Sequence, residues 1–344
     1  MREYMNGRAM YIGIDLGGTK IAGAAVNVET GVVSGRKVTA TEAQRGPDAV
    51  LARIAGLAEE VRRAAGLERE EIGGIGLGVP GVTDPEAGLT LFLPNLPGAW
   101  RGVPAVAILT RLSGYGVAMI NDARAFTLAE ATVGAGRGAR TVVGLTLGTG
   151  IGGGIAIDGR LHLGIDGTAG EVGHQTIDPA GPPCGCGNRG CLEAFASGPA
   201  ITALGIKAVL QGLTTRIGTL AEHDLNRITP ETIWQAAEEG DEVASEILER
   251  VGGYLGVGIA NLVSILSPDR VVIGGGVAQL GERLLGPVRA QVRARCNATP
   301  IDRVWIGAAA LGPEAGVLGA AVWAAQRLGH ARRSDTQGGS ERDD

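Results

Sequence analysis

The chain is poor in aromatic residues, lysine and cysteine and has no long hydrophobic run, and each shortage excludes something. No uninterrupted apolar stretch approaches the ~18 residues that a membrane-spanning helix needs, so no membrane association is expected. The opening residues, MREYMNGRAMYIGIDLGG, lack an apolar core followed by a small-residue cleavage site. That pattern is not a secretion signal, and the expected location is the cytoplasm. Lysine stands only at 20, 37 and 207, and 31 Lys+Arg against 36 Asp+Glu give a formal charge of −5. Without a clustered basic face, general affinity for nucleic acid is disfavoured. Aromatics at 3% beside 59 glycines look at first like low complexity. The glycines fall instead in short clusters directly after β-rich runs, where strand-to-turn corners and phosphate-binding backbones require them. Of four cysteines, at 184, 186, 191 and 296, three lie within eight residues. In a chain without a secretion signal, that spacing indicates a metal before a disulfide framework.

What is present is enough for two cores. A length of 344 residues with 44% hydrophobic side chains suits two lobes of ordinary size. Tyr11 to Val26 reads as two strands joined at Gly17-Gly18-Thr19, a hairpin around a glycine corner. Residues 48–65 then place Val50, Leu51, Ile54, Leu57, Ala58 and Val61 on one helical face. Strands follow at 72–79 and 116–120, with a helix from Asp122, an alternation that indicates an α/β domain. The pattern restarts at 143. Set at a constant offset, IGIDLGGTKIAGAAVN (12–27) against VGLTLGTGIGGGIAID (143–158) matches Gly13 with Gly144, Leu16 with Leu147, Gly17 with Gly148, Gly23 with Gly154 and Ala25 with Ala156. Such a repeat predicts two related lobes with a cleft between them and phosphates cradled by facing glycine corners. Helices are expected at 230–249, 252–266 and 315–328, and a strand at 270–273 ending in Gly274-Gly275-Gly276. The last residues are polar and aperiodic, the pattern of a disordered tail over 329–344.

Several of these segments carry chemistry. The corner Asp15-Leu-Gly-Gly-Thr-Lys20 offers backbone N–H groups and a hydroxyl to phosphate, a carboxylate suited to Mg²⁺ and a lysine charge. It is not a G-x-x-x-x-G-K-[ST] loop, and a plain tight hairpin remains open as its reading. Gly76-Leu-Gly78-Val-Pro-Gly81 fits the dinucleotide fingerprint only formally, because Pro80 and Thr83-Asp84-Pro85 open no helix. Asp122 follows an apolar strand and begins a helix, so it is either an N-cap or a carboxylate at the strand end able to act as general base. Glu171 and His174, three apart, share a face if that stretch is helical. His174, Cys184, Cys186 and Cys191 form H-x₉-C-x-C-x₄-C, with Gly185, Gly187 and Gly190 free to wrap an ion. Cys₃His is a closed tetrahedral set for zinc, with no open position for substrate or water. The distant Cys296 reads as a small buried hydrophobe.

Taken in order, DLGGTK, GVPG, Asn121-Asp122, LGTGIGGG, E-x-G-H and C-x-C-G-x-x-G-C-L-E resemble the ROK family of bacterial sugar kinases and sugar-responsive repressors, from about Tyr11 to Leu328. The resemblance implies a two-lobed, actin-like ATPase fold of the hexokinase type with an internal duplication and a zinc-ordered loop. Its smaller lobe would span 10–120, completed by the helix at 315–328, and its larger lobe 121–314. It further implies Asp122 as catalytic base, Asn121, Glu171, His174 and Glu193 as sugar ligands, and Gly81 and Asn95 near the sugar. Gly17, Gly18, Thr19, Lys20, Thr149 and Gly150 correspond to the phosphate loops, Gly274 to Gly276 to the adenosine motif, and Asp15 to the Mg²⁺ partner. The implied activity is phosphorylation of a hexose by ATP with Mg²⁺ and structural Zn²⁺, in a dimer or tetramer. Pro94-Asn-Leu-Pro-Gly-Ala-Trp100 looks more like the glucokinases of the family than its N-acetylhexosamine kinases. Fructose, mannose and N-acetylhexosamines stay open. The competing readings are a sugar-responsive repressor, which would carry an additional helix-turn-helix domain ahead of Tyr11 that is not expected here, and a zinc-binding scaffold without catalysis. If the zinc holds two sugar ligands, its loss is expected to impair sugar binding more than nucleotide binding.

Overall fold

The computed structural model describes residues 9–94 and 96–337 and resolves into two compact units. The first gathers Met1–Arg137, Gly159–Ala169 and Pro313–Asp344; the second gathers Gly138–Asp158 and Gly170–Gly312. No helix among the described residues is long and apolar enough to cross a membrane.

The first unit opens with β1 (Met10–Leu16), β2 (Lys20–Asn27) and β3 (Val32–Ala40), followed by α1 (Pro47–Ala64). The six apolar residues read as one face of α1 are all buried, each worth about 1.5–3 kcal/mol for the larger side chains. Next come β4 (Ile72–Val79), the short hairpin β5 (Val82–Asp84) and β6 (Leu89–Phe92), α2 (Ala105–Ser113), β7 (Val117–Asn121) and α3 (Asp122–Thr132). The sheet order is β3-β2-β1-β4-β7, with β1–β2 antiparallel and β1–β4 and β4–β7 parallel. Residues 121–137 belong with this unit by contact, because α3 grows directly out of β7.

The second unit repeats the plan with β8 (Thr141–Leu147) and β9 (Ile151–Ile157), joined antiparallel. The chain then passes through 159–169, which holds the two-residue strand β10 (Arg160–Leu161) of the first unit. Back in the second unit, α4 (Leu192–Ala196), α5 (Gly198–Leu210), α6 (Ile217–Leu220), α7 (Pro230–Glu238) and α8 (Glu242–Leu266) precede β11 (Arg270–Gly274), α9 (Glu282–Arg295) and β12 (Trp305–Ala308). Its four strands run in the order β9-β8-β11-β12, with β8–β11 and β11–β12 parallel.

The duplication is therefore topological, but the constant offset read along the sequence slips by one residue after the corner. Leu16 pairs with Ile21, whereas Leu147 pairs with Ile151, so the second corner is one residue shorter. Because strand side chains alternate faces, Gly23 corresponds to Gly153 and not to Gly154. The helices expected at 230–249 and 252–266 also divide elsewhere. Gly240, at φ +87°, ends the first, and Asp241 caps the second by accepting the Ala244 N–H at 2.9 Å. The Gly252-Gly253 pair does not break α8; a Cβ at Gly252 would stand 2.7 Å from Pro287 of α9, so the glycine serves close helix packing.

The closing helix α10 (Ala315–Gln337) runs past Leu328 and completes the first unit. Its backbone lies against the sheet, where a Cβ on Gly13 or Gly76 would overlap the carbonyl oxygens of Val317 and Ala320. Gly76 thus belongs to a packing contact and not to a dinucleotide turn. Gly76→Ala is expected to cost about 1–3 kcal/mol or more through overpacking, measured as a lowered thermal midpoint with the secondary structure retained.

Candidate active site and a histidine–cysteine cluster

In the first unit, Asp15 sits near the C-terminal end of β1 and leads into the corner. Gly17 N–H closes the turn on the Lys20 carbonyl at 2.9 Å. The fully buried Thr41 pins it from beneath, donating from its hydroxyl to the Gly17 carbonyl (2.7 Å) and from its N–H to the Thr19 carbonyl (2.9 Å). Thr19 and Lys20 are exposed, free to meet a ligand. Burial raises the pKa of Asp15 and the Lys20 charge opposes this, so the carboxylate lies where a cation would be favoured. Gly316 of α10 leaves it room: a Cβ there would stand 2.7 Å from Oδ2 and 2.8 Å from Cγ.

The Asn121-Asp122 step divides its labour. Asn121, not Asp122, caps α3, its Oδ1 accepting from the N–H groups of Ala123 (3.0 Å) and Arg124 (3.2 Å). The Asn121 Nδ2 donates to the Gly81 carbonyl at 2.8 Å and to Asp122 Oδ1 at 3.0 Å. Gly81 takes φ +82°, and a side chain there would collide with the Phe92 carbonyl. Gly81, Asn121 and Asp122 are therefore one constellation, with both Nδ2 hydrogens of Asn121 engaged. Asp122 Oδ1 also accepts the Ala123 N–H at 2.7 Å. Burial, with the negative charge of Asp15 adding to it, raises the Asp122 pKa to about 6 against the pull of the Ala123 N–H and Arg124. A carboxylate so poised is ionised at neutral pH and ready to take a proton.

In the second unit, the corner Gly148-Thr149-Gly150 closes from Gly148 N–H to the Gly150 carbonyl at 2.9 Å. Gly275, at φ +90°, packs so closely on Leu147 that a side chain would overlap its carbonyl. Gly274 pairs with Thr146, so Gly274 and Gly275 lie beside the end of β8 that leads into the corner. Glu171 and His174 do not share a helical face. Glu171 precedes and His174 ends a single 3₁₀ turn, Val172–His174, closed by His174 N–H on the Glu171 carbonyl at 3.1 Å, because Glu171 at φ −70°, ψ 56° is not helical.

The turn carries His174 to the cysteines. Its Nδ1 is 3.7 Å from Cys184 Sγ, Cys186 and Cys191 Sγ are 3.7 Å apart, and all four ligand atoms lie within 4.8 Å of one another. Tetrahedral zinc at its usual bond lengths sets S···S and S···N edges of roughly 3.5–3.8 Å, so the donor set fits. Burial first, then the neighbouring thiols, pushes the Cys191 thiol up to about 12. A bound cation is what would let these sulfurs ionise together. Gly187 and Gly190, at φ +91° and +69°, turn the loop. Cys296 is buried apart from the cluster, its sulfur facing the Ala260 carbonyl.

Residues 11–327 match the ROK family. The chain belongs to that family. It is 38% identical over 321 residues to a glucokinase of Thermotoga maritima, covering 92% of this chain and 98% of that one. Among solved structures, a ROK family glucokinase from Streptomyces griseus in complex with glucose and AMPPNP superposes with a TM-score of 0.76 at 33% identity, covering 91% of this chain and 98% of that one. A xylose repressor of Caldicellulosiruptor bescii is 38% identical over 246 residues, 72% of this chain and 61% of the repressor. The mixed α/β fold is that of the ROK kinases.

Within this ROK fold, Asn95 lies outside the described residues. Thr41, Arg124 and Gly316 escaped the sequence reading. Nothing local marks Thr41, which reaches the corner from 24 residues away. Arg124, buried with Nε donating to the Ala169 carbonyl at 3.2 Å, looks in sequence like any helix surface charge. A glycine at the start of an apolar helix was the one available hint for Gly316.

Proposed function

We propose that this ROK protein is an ATP-dependent sugar kinase that converts a hexose, foremost glucose, to its 6-phosphate. The observation that carries the reading is Asp122, a buried carboxylate relieved of capping by Asn121 and lifted to about 6 beside Asp15. The glucokinase relatives and the glucose–AMPPNP structure support the choice of glucose and ATP.

Phosphoryl transfer is mostly positioning and charge neutralisation. The sugar 6-hydroxyl oxygen bonds to the γ-phosphorus as the bond from that phosphorus to the bridging oxygen breaks; the hydroxyl proton passes to an Asp122 oxygen and ADP leaves. Asn121 holds Asp122, and Glu171, His174 and Glu193 would accept or donate to sugar hydroxyls, with Gly81 and Asn95 beside them. The N–H groups of Gly18, Thr149 and Gly150, the Thr19 and Thr149 hydroxyls and Lys20 would hold phosphates, with Gly17 shaping the first corner through its own turn bond, and Gly274–Gly276 would hold the adenosine. Asp15 would hold Mg²⁺, which when bound neutralises charge on the phosphates. His174, Cys184, Cys186 and Cys191 would hold Zn²⁺ in a closed set that orders the loop and leaves no site for water. A homo-oligomer acting in cytoplasmic carbohydrate metabolism, at the entry to glycolysis, completes the proposal.

A coupled assay for ADP over a panel of about a dozen sugars tests it, since specificity is a ratio of kcat/KM values. Glucose is expected to give the highest ratio. Turnover confined to an N-acetylhexosamine, fructose or mannose would move the substrate and keep the kinase; none with any sugar would remove the kinase. The repressor relative supplies a second reading, and sequence-specific gel retardation of genomic fragments by this chain would support it.

A further inference from the structure

The His–Cys cluster and the second phosphate corner are joined by one side chain. Glu193 is the second residue of α4, a helix whose N-cap is the cluster residue Cys191. Its Oε2 accepts the N–H of Ile151, the first residue after Gly148-Thr149-Gly150, at 2.8 Å. Its Oε1 lies 3.8 Å from Cys184 Sγ. The carboxylate is pressed so closely on the corner that a Cβ at Gly150 would collide with Oε2. The same segment grips the other side of the corner as well. Ser197 N–H donates to the Glu193 carbonyl at 3.1 Å, and Gly198 N–H, opening α5, donates to the Gly148 carbonyl at 2.8 Å. Upstream, Leu192 N–H is fastened to the Gln175 carbonyl at 3.0 Å, beside His174.

We infer that Glu193 is a positioning residue that transmits the order of the His–Cys cluster to the phosphate corner, so that metal occupancy sets nucleotide affinity as well as sugar affinity. The physical reason is local. A corner of two glycines and an exposed threonine has little side-chain packing of its own, and its conformation is held by the few hydrogen bonds at its ends. Two of these, at Ile151 N–H and at the Gly148 carbonyl, come from 193–198, a segment that begins two residues after Cys191. A metal that ties His174, Cys184, Cys186 and Cys191 together fixes where α4 starts, and with it the carboxylate. Without those ties the Glu193 side chain gains rotamers, and the Ile151 N–H loses a charged acceptor. On this inference metal loss weakens nucleotide binding as well as sugar binding. The inference rests on the proposed function only in calling Gly148–Gly150 a nucleotide corner.

Hydrogen exchange resolved over 148–152, with no ligand present, is the first readout; titration with a non-hydrolysable ATP analogue in the absence of sugar is the second. Zinc-loaded protein is compared with chelator-treated protein, and with Glu193→Ala, Glu193→Gln and Gly150→Ala variants whose zinc content is checked by metal analysis. Chelation and Glu193→Ala are each expected to speed exchange of the Ile151 amide and weaken analogue binding roughly tenfold or more, the scale of a lost hydrogen bond to a charged acceptor. Glu193→Gln, whose amide oxygen still accepts that N–H, retains most of the protection. Gly150→Ala, which displaces an intact Glu193, reproduces the loss. If chelation unfolds the loop altogether, Glu193→Ala with zinc still bound gives the answer. Unchanged exchange and analogue affinity in Glu193→Ala would overturn the inference and leave Glu193 a sugar contact only, as would a glutamine variant no better than alanine. Failure of the kinase reading is distinguishable, because it appears as absent turnover with every sugar and leaves the exchange comparison intact.

Discussion

Asp122→Asn is expected to lower kcat by ~10²–10⁴-fold, the usual contribution of a general base, while the sugar dissociation constant stays within a few-fold. An amide can replace Asp122 Oδ1 as acceptor from Asn121 Nδ2 and the Ala123 N–H, but it cannot take up the hydroxyl proton. Activity and stability should respond to this change in opposite directions. The folded pKa is raised from 3.8 to about 6, chiefly by burial. The protonated form is therefore the one the fold favours, and the stability it contributes is fully present below 3.8 and lost as pH rises through about 6. The asparagine variant should melt above the wild type at pH 7.5, with the difference vanishing by about pH 4. The wild-type kcat should fall below about pH 6 as the base becomes protonated. Steady-state kinetics and thermal melts across that range measure both. A variant within a few-fold of wild-type kcat would leave Asp122 as the first residue of a helix and nothing more.

Cys186→Ser should release the metal and raise the sugar dissociation constant by at least tenfold, the lower end of what disturbing even the outer shell of a metal site costs. Cys186 is the informative choice because it is the exposed cysteine of the cluster. Replacing its sulfur by oxygen disturbs no core packing, whereas Cys191 is buried at the start of α4. Metal analysis should find one zinc per chain in the wild type and a substoichiometric amount in the variant. The effect on sugar follows from placement within the second unit: His174 is itself a cluster member and Glu193 lies two residues beyond Cys191. A zinc-free preparation that binds glucose as tightly as the native protein would show the cysteines to be packing alone.

Whatever depends on neighbours along the chain was legible from the residues alone. Backbone corners need glycine where φ or close approach demands it, so both glycine corners and Gly274–Gly276 were visible in the motifs. Metal ligands need sulfur and imidazole within a short, flexible span, so His174 and the three cysteines were legible, and the periodicity of α1 named its buried face correctly. What depends on residues far apart came from the packed fold. It assigned the N-cap of α3 to Asn121 and so freed Asp122, and it put the backbone of α10 beside Asp15 through Gly316. It slipped the second hairpin by one residue, which a constant offset between two glycine-rich segments could not detect because glycine matches glycine at several registers. It brought Thr41 under one corner and Glu193 against the other. Composition and spacing report local conformational needs; which distant carboxylate or hydroxyl fills a turn's last hydrogen bond is decided when the chain packs, by burial and steric fit that no window of sequence contains.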